Sequence, residues 1–277
     1  MTAEGSQQQG LANTGRMKRH TQSVALVPLL SGLLSLVAGC ATLPPEVRVT
    51  YIANEGFLLQ AGPHKIIVDG LFGDGRIDFC DVPAGELLTR IEQGVPPFTD
   101  IDLVLVTHAH VDHFDAASVS RFLKNHRQCK VVCPGQVRGA IQDTMPDYAA
   151  IRDQVVVPAA GLDGGIDLTI NRMKVKALPL RHGSYMVKDE TSGAEYDLHE
   201  KVEHLAYLIE LSGRRILHVG DASLRTNRER LTRLGVPLDI AFVEGYDISQ
   251  ESLHLMATAL KPSMSSICTC PDKTARN

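Results

Sequence analysis

The order of apolar and polar positions along the chain predicts many short strands and few helices. Val47–Ile52 (VRVTYI) alternates with period two, which sends successive side chains to opposite faces of a strand. Phe57–Gln60 and Lys65–Asp69 predict the next two strands, with Gly62-Pro63 as the turn between them. Gly70–Pro97 is rich in Gly, Pro and Asp and reads mostly as loop, with a short helix near Glu86–Gln93. Asp102–Thr107 (DLVLVT) is a continuous apolar run of strand length, the pattern of a strand buried on both faces. Asp115–Asn125 predicts a helix with Asp115 as its N-cap and Val119, Phe122 and Leu123 as its apolar stripe. Lys130–Cys133, Val155–Pro158, Ile166–Ile170 and Met173–Pro179 predict four strands. Leu205–Leu211 and Arg215–Val219 predict two more, joined through Ser212-Gly213-Arg214. Leu224–Leu234 reads as helix, Asp239–Val243 as strand, and Gln250–Leu260 as a helix stopped by Pro262, with Leu253, Met256, Ala257 and Leu260 as its stripe. The charged stretch Lys188–Glu203 reads as a solvated loop at the lip of a cleft. Strand-rich stretches, each followed by a helix and a buried strand, argue for an α/β or α+β sandwich.

The first forty residues follow a different pattern. Residues 1–16 are polar and aperiodic, and Met17 opens a better translation start than Met1. Lys18 and Arg19 form a basic region, residues 23–38 carry no charge, and Gly39-Cys40 follow, which is the three-part plan of a secretory signal. The apolar run is shorter than the roughly 20 residues of a spanning helix, and Pro28 and Gly32 interrupt it. The ending Leu36-Val37-Ala38-Gly39-Cys40 resembles a bacterial lipobox, in which the Cys becomes the lipid-bearing first residue. That resemblance implies residues 1–40 as extension and signal peptide, Cys40 as the lipid attachment, and a lipid anchor holding residues 47–277 at the periplasmic face of the cell envelope. By resemblance to lipoprotein sorting signals, Ala41 rather than Asp implies the outer membrane.

Composition narrows the classes further. Hydrophobic residues are 44% and charged residues 22%, an ordinary globular balance that excludes a wholly disordered chain and a polytopic membrane protein. The net charge is −4 and there is no Trp, so a broad nucleic-acid face with stacking platforms is not expected. Five Cys follow Cys40; in an oxidising compartment some could pair, and an odd number leaves at least one free.

The candidate chemistry is concentrated in Thr107-His108-Ala109-His110-Val111-Asp112-His113, at the end of the buried strand. Period two places His108 and His110 on one side of the extended chain, and Asp112 and His113 lie on the turn into the Asp115 helix. Imidazoles suit zinc and iron, and carboxylates add charge and orient water. This segment resembles the His-x-His-x-Asp-His signature of the metallo-β-lactamase fold superfamily. Asp69 at a strand end, His182 in LPLRHG and Gly220-Asp221 in RILHVGD match that family's further motifs. The short hairpin openings and the late LKP look most like the branch of ascorbate-phosphate lactonases and related hydrolases.

The resemblance implies a four-layer αββα sandwich over residues 47–277 and a two-metal site. His108, His110 and His182 would hold one ion, Asp112 and His113 the other, and Asp221 would bridge. Asp69 would hydrogen-bond the His-bearing loop, and Asp112 would be the catalytic residue that orients the nucleophile or shuttles its proton. The implied cofactor is zinc, two ions, with manganese or iron as alternatives. The implied reaction is metal-dependent hydrolysis of an ester, lactone, amide or phosphodiester bond of a small-molecule substrate by a metal-bound hydroxide. Aspartates at positions 112 and 221 favour a general hydrolase over a true β-lactamase, which commonly carries Cys at the latter position. Relatives that handle oxygen at di-iron commonly carry Glu where His110 stands.

One motif departs from the family. A His is expected on the last strand beyond Lys261-Pro262, but Thr269 stands there and no His follows His254. The tail also lacks the expected apolar strand and closing helix. An altered C-terminus or a different ligand, with Cys268, Cys270 or His254 nearest, would explain this. The rival reading is a catalytically impaired, lipid-anchored binding module that keeps the fold. His64, His126, His199, His204 and His218 read as surface or packing residues, with His199 and His204 able to line the cleft.

Overall fold

A computed structural model describes residues 46–73, 77–159, 164–245 and 248–268. Residues 1–45, where a signal segment ending at Cys40 is expected, and the positions Thr269 and Cys270 lie outside the described residues. No helix among the described residues is long and apolar enough to cross a membrane.

The first sheet has six strands in sequence order: β1 (Arg48–Ala53), β2 (Gly56–Ala61), β3 (His64–Val68), β4 (Leu103–Leu105), β5 (Lys130–Val132) and β6 (Val155–Val156). β1 to β3 form an antiparallel meander, and β3 to β6 run parallel. Parallel strands need crossovers. Here these carry α1 (Gly85–Gln93), α2 (Ala116–Asn125) and α3 (Gly135–Thr144). The second sheet contains β7 (Ile166–Ile170), β8 (Met173–Pro179), β11 (Leu205–Leu211), β12 (Arg214–His218), β13 (Ile240–Glu244) and β14 (Met264–Cys268), in the order β14-β13-β12-β11-β8-β7. Two short strands, β9 (Met186–Lys188) and β10 (Glu195–Asp197), pair with each other as a separate hairpin. Two further helical pieces, α4 (Arg228–Thr232) and α5 (Gln250–Leu255), follow β12 and β13.

The alternation read from sequence sorts these side chains into layers. Phe57, Leu59, Ile66, Val68, Leu103 and Leu105 of the first sheet pack against Val175, Ala177, Leu205, Tyr207, Ile209 and Ile216 of the second. The opposite face of the first sheet, with Leu58, Ile67 and Val104, buries Leu88, Ile91, Val119, Phe122, Val137 and Ile141 of α1 to α3. The opposite face of the second, with Ala206, Leu208, Leu217 and Ala241, buries Leu231, Leu255, Met256 and Leu260. The result is helices, sheet, sheet, helices: the expected αββα sandwich. Each fully buried aliphatic or aromatic side chain contributes roughly 1.5–3 kcal/mol of transfer free energy, so the three apolar seams dominate cohesion.

Two polar interactions set how the layers meet. Tyr207, fully buried on β11, donates its hydroxyl to the carbonyls of Val106 (2.7 Å) and Val132 (3.0 Å) in the opposite sheet. Buried Glu92 on α1 accepts from Ser118 Oγ (2.7 Å) and, in two contacts, from Arg121 Nε (2.8 Å) and Nη2 (2.7 Å), which fixes α1 against α2. Asp115 caps α2 as expected, its Oδ1 accepting from Ser118 N at 2.6 Å.

Several sequence expectations need correction. The Lys188–Glu203 stretch is not all loop, because Glu195–Asp197 pairs with Met186–Lys188. The Leu224–Leu234 helix shortens to Arg228–Thr232, since Ser223–Asn227 is taken up by turns that serve the neighbouring site. The last helix becomes π-helical over Met256–Leu260, and its buried positions include Ser252, Leu255, Met256 and Leu260, leaving Leu253 and Ala257 exposed. The expected loss of a final strand is also wrong: Met264–Cys268 pairs in parallel with Ile240–Glu244. An open sheet edge offers backbone donors and acceptors to any extended segment, so an apolar pattern is not required. α3 was not expected; its single pair of buried apolar positions, Val137 and Ile141, is too short a stripe to reveal it.

Cys129 and Cys133 are free and buried, and Cys80 is buried. Burial pushes the Cys133 thiol up to about 12, and that of Cys129 upward as well, so neither is a thiolate at neutral pH. Both should therefore resist a thiol-exchange reagent at pH 8 in the native protein and react fully in denaturant, as read by released chromophore. Tyr207→Phe should lower unfolding free energy by about 1–2 kcal/mol in urea titrations, because two buried carbonyls lose a donor.

Candidate metal centre

The strand ends that carry the candidate residues meet at one rim of the sandwich. Asp69 follows β3 with a positive φ of 42° and is 1% exposed. Its Oδ1 accepts from Thr107 N at 2.8 Å, and its Oδ2 accepts from Thr107 Oγ1 at 2.6 Å and His113 Nδ1 at 3.0 Å. One carboxylate thus holds both ends of the 107–113 loop. The loop closes on itself through His113 N and Phe114 N, which both donate to the His110 carbonyl.

His182 follows β8 and is joined to the turn after β12: Gly183 N donates to the Asp221 carbonyl at 2.7 Å, and His182 pairs with Ala222. Asn227 fastens the same two segments, accepting from Arg181 N (2.8 Å) and donating to the Arg181 (2.7 Å) and Ser223 (2.8 Å) carbonyls. Gly220, at φ +53°, turns the chain so that Asp221 faces the rim. A Cβ at Gly220 would lie 2.8 Å from His204 Nε2 and 2.9 Å from Thr107 Cγ2, so a larger residue does not fit.

All the candidate ligands converge. His108, His110, His182 and Asp221 each bring one ligand atom into a group whose members lie within 4.8 Å of one another, and Asp112, His113 and Asp221 form a second such group. His108 Nε2 is 2.9 Å from His110 Nδ1 and 3.3 Å from His182 Nε2. Asp221 Oδ2 lies 3.7 Å from His108 Nε2 and 3.5 Å from His182 Nε2, while Oδ1 lies 3.0 Å from His113 Nε2. Asp112 Oδ2 is 3.5 Å from His113 Nε2.

Hydrogen-bond partners assign the ring protons. The Gly183 carbonyl, 2.8 Å from His182 Nδ1, can only accept, so Nδ1 carries the hydrogen and Nε2 a lone pair. The Thr107 hydroxyl spends its hydrogen on Asp69, so it accepts from His108 Nδ1 at 2.9 Å, which leaves a lone pair on His108 Nε2. Asp69 likewise takes the Nδ1 hydrogen of His113. The Nε2 lone pairs of His108 and His182 therefore face each other at 3.3 Å beside a carboxylate. Buried His113 Nε2, close to two carboxylates, lacks an aligned hydrogen-bond partner. A divalent cation at its centre would satisfy these groups together, and imidazole with carboxylate is the donor set of zinc and related divalent ions. These residues fit the metal group that the motif implied.

The charges are strongly coupled. Burial holds His108 well below its usual range, reinforced by the neighbouring His113. Burial, then His182 and His199, pull His110 down to about 4. For His113, burial is outweighed by the Asp221 carboxylate, and its pKa rises; Asp221 is lowered by the same pairing against its own burial.

Sequence reasoning missed three residues here. Asn54, in the β1–β2 turn, donates from Nδ2 to the Asp112 carbonyl (3.1 Å) and Oδ2 (3.3 Å). Glu55, beside it, is buried in a group with Asp69 and His113, and burial, then Asp221, raises its carboxyl well above the usual range. Both sit in a turn that has no periodicity to single them out. Asn227 gave no signal either. Of the histidines read as packing residues, His199 packs against the rings of His110 (4.8 Å) and His182 (4.3 Å), and His204 lies behind His108 (5.2 Å). His218 is buried and within 3.0 Å of the Glu55 carbonyl. His254 is exposed on α5, away from the ligand groups.

Residues 64–265 match the family model described as "Beta-lactamase superfamily domain", and the chain belongs to that family. A relative from Polaromonas sp., described as a "UPF0173 metal-dependent hydrolase", is 30% identical over 200 residues, covering 71% of this chain and 67% of the relative. One of the same description from Polynucleobacter asymbioticus is 27% identical over 171 residues, covering 59% of this chain and 56% of its own length. Against that relative and one from Thermococcus onnurineus, the chain spans little more than half the relative's length. Among solved structures, Igni18, described as a metallo hydrolase from Ignicoccus hospitalis, superposes with a TM-score of 0.53 at 18% identity over 80% of this chain and 82% of that one, a likeness of fold.

Gly220→Ala should destabilise the protein by about 1–3 kcal/mol, through the positive φ and the His204 and Thr107 contacts together. A urea midpoint within error of wild type would show that the turn relaxes freely.

Proposed function

We propose that this protein is a binuclear metal-dependent hydrolase that cleaves an ester, lactone, amide or phosphodiester bond of a small molecule. The observation that carries the reading is the pair of imidazole lone pairs, on His108 and His182, held 3.3 Å apart against Asp221. His108, His110 and His182 would hold one ion, Asp112 and His113 the second, and Asp221 would stand between them. Bound divalent metal lowers the pKa of a coordinated water towards ~7 and polarises the oxygen of the scissile bond.

The chain's own residues divide the remaining work. Asp112, held by Asn54, is placed to accept a proton from the attacking water and to pass it on. Asp69 keeps His113 Nδ1 protonated and so keeps Nε2 available as a ligand atom. His199 packs beside the reaction site and donates from Nδ1 to the Gly183 carbonyl at 2.9 Å, which fixes its own ring. The imidazole-rich donor set favours zinc. The relatives' description as metal-dependent hydrolases supports the same class. The lipobox-like residues 36–40 support a lipid-tethered placement in the bacterial envelope, with the outer membrane preferred.

The missing His beyond Lys261-Pro262 favours a second reading, a binding module that retains one ion. Elemental mass spectrometry on protein expressed with zinc, manganese and iron separates the two. About two ions per chain, with turnover of a generic ester or phosphodiester, is expected of the hydrolase. One ion or none, without turnover, would replace it with the binding module.

Two variants follow from the geometry. Asp221→Ala should reduce the metal content and lower kcat/KM by at least about 100-fold, since it touches both groups. Asp69→Asn should loosen the loop that Asp69 holds and weaken metal affinity about 10- to 100-fold, measured by competition with a chelating dye.

A further inference from the structure

Beside the metal centre lies a cavity of about 820 Å³ whose two ends differ in chemistry. One end is His110, Asp112, His199 and Asp221. The other is Phe79, Val111, Tyr185 and Leu198, which come from the β3–α1 loop, the ligand loop and the β9–β10 hairpin. Each of these four side chains is 50–60% exposed, and they make up four of the eleven large apolar side chains exposed among the described residues. Scattered exposed apolar residues need no explanation, but a third of them around one cavity beside a candidate active site do. The wall is also built rather than loose: Asp197 Oδ1 accepts from Tyr185 N at 2.8 Å and from His199 N at 3.0 Å, and Leu198 N donates to the Tyr185 carbonyl at 2.9 Å.

The wall offers an anionic group no side-chain anchor. Among the described residues no lysine or arginine lines this cavity, and its charged side chains are Asp112 and Asp221. The apolar wall therefore favours a substrate whose bulk is uncharged and apolar, with only its scissile group directed at the histidine and aspartate end.

Resting on the hydrolase reading above, we infer that the substrate is an uncharged carboxylic ester or lactone with an apolar acyl chain seated against Phe79, Val111, Tyr185 and Leu198. The reaction balances as hydrolysis. Water oxygen bonds to the acyl carbon, the acyl carbon–oxygen bond breaks, and the water's proton reaches the leaving oxygen by way of Asp112, giving an acid and an alcohol. No redox partner is required.

The test compares p-nitrophenyl acetate, butyrate and hexanoate with bis(p-nitrophenyl) phosphate on the metal-loaded full chain. Burying a methylene favours binding about four-fold, so even partial burial of four should raise kcat/KM from acetate to hexanoate about ten-fold or more. Leu198→Ser and Tyr185→Ser should each flatten that preference to within about three-fold. Equal rates across the acyl series, or faster turnover of the phosphodiester, would overturn the inference while leaving the hydrolase reading intact. A second readout is independent of turnover: saturation-transfer NMR of hexanamide against acetamide on metal-free protein. Transfer to the hexanamide chain that is lost in Leu198→Ser supports the acyl site even if no ester is hydrolysed, in which case the hydrolase reading alone has failed. No transfer to hexanamide in the folded wild type overturns the acyl site.

Discussion

The Asp69 carboxylate is the constraint from which the site is built. It is buried at the end of β3, and it accepts from the backbone and hydroxyl of Thr107 and from the ring of His113. Those three bonds bind the start and the end of the loop that bears the histidines to the first sheet. They also decide where the ring protons sit, since the Thr107 hydroxyl, committed to Asp69, must accept from His108. One anion therefore fixes both the position of the loop and the direction of its lone pairs. Position without lone-pair direction would leave a cluster of imidazoles that hydrogen-bond to one another instead of directing lone pairs at a cation.

The second sheet contributes by the same logic with different parts. His182 and Asp221 arrive from β8 and β12, and Asn227 with the Gly183–Asp221 backbone bond holds their loops together. Leu205 N donates to the Thr107 carbonyl at 2.9 Å, and Tyr207 reaches Val106 and Val132, so β11 ties the second sheet to the strands beside the His loop. The distances across the metal centre are thus set by apolar packing between sheets and by a few hydrogen bonds at the rim. Neither could hold them alone.

Much of this was legible in the chain, for identifiable reasons. The α/β class followed from period-two alternation and the continuous apolar run before Thr107, because burial on one or two faces leaves those patterns directly in sequence, whereas the four-layer order came from the family resemblance. The six candidate ligands stood out because His and Asp at strand ends and on the turn before α2 are chemically unusual, and the structure brings them together. What was not legible depends on distance rather than pattern. Asn54 and Asn227 are ordinary turn residues whose partners lie 58 and 46 positions away. β14 was missed because edge pairing is a backbone property, and α3 because it buries only two apolar side chains.

The Gly183 carbonyl accepts from both His182 Nδ1 and His199 Nδ1. His182 belongs to the ligand group, and His199 adjoins Leu198 on the cavity wall. A single oxygen therefore couples the cavity wall to the candidate ligand group. A change in the hairpin that re-aims His199 alters the hydrogen bonding of that carbonyl, and through it the polarisation of the His182 ring. Shape at the wall and donor strength at the rim are consequently not independent properties of this fold.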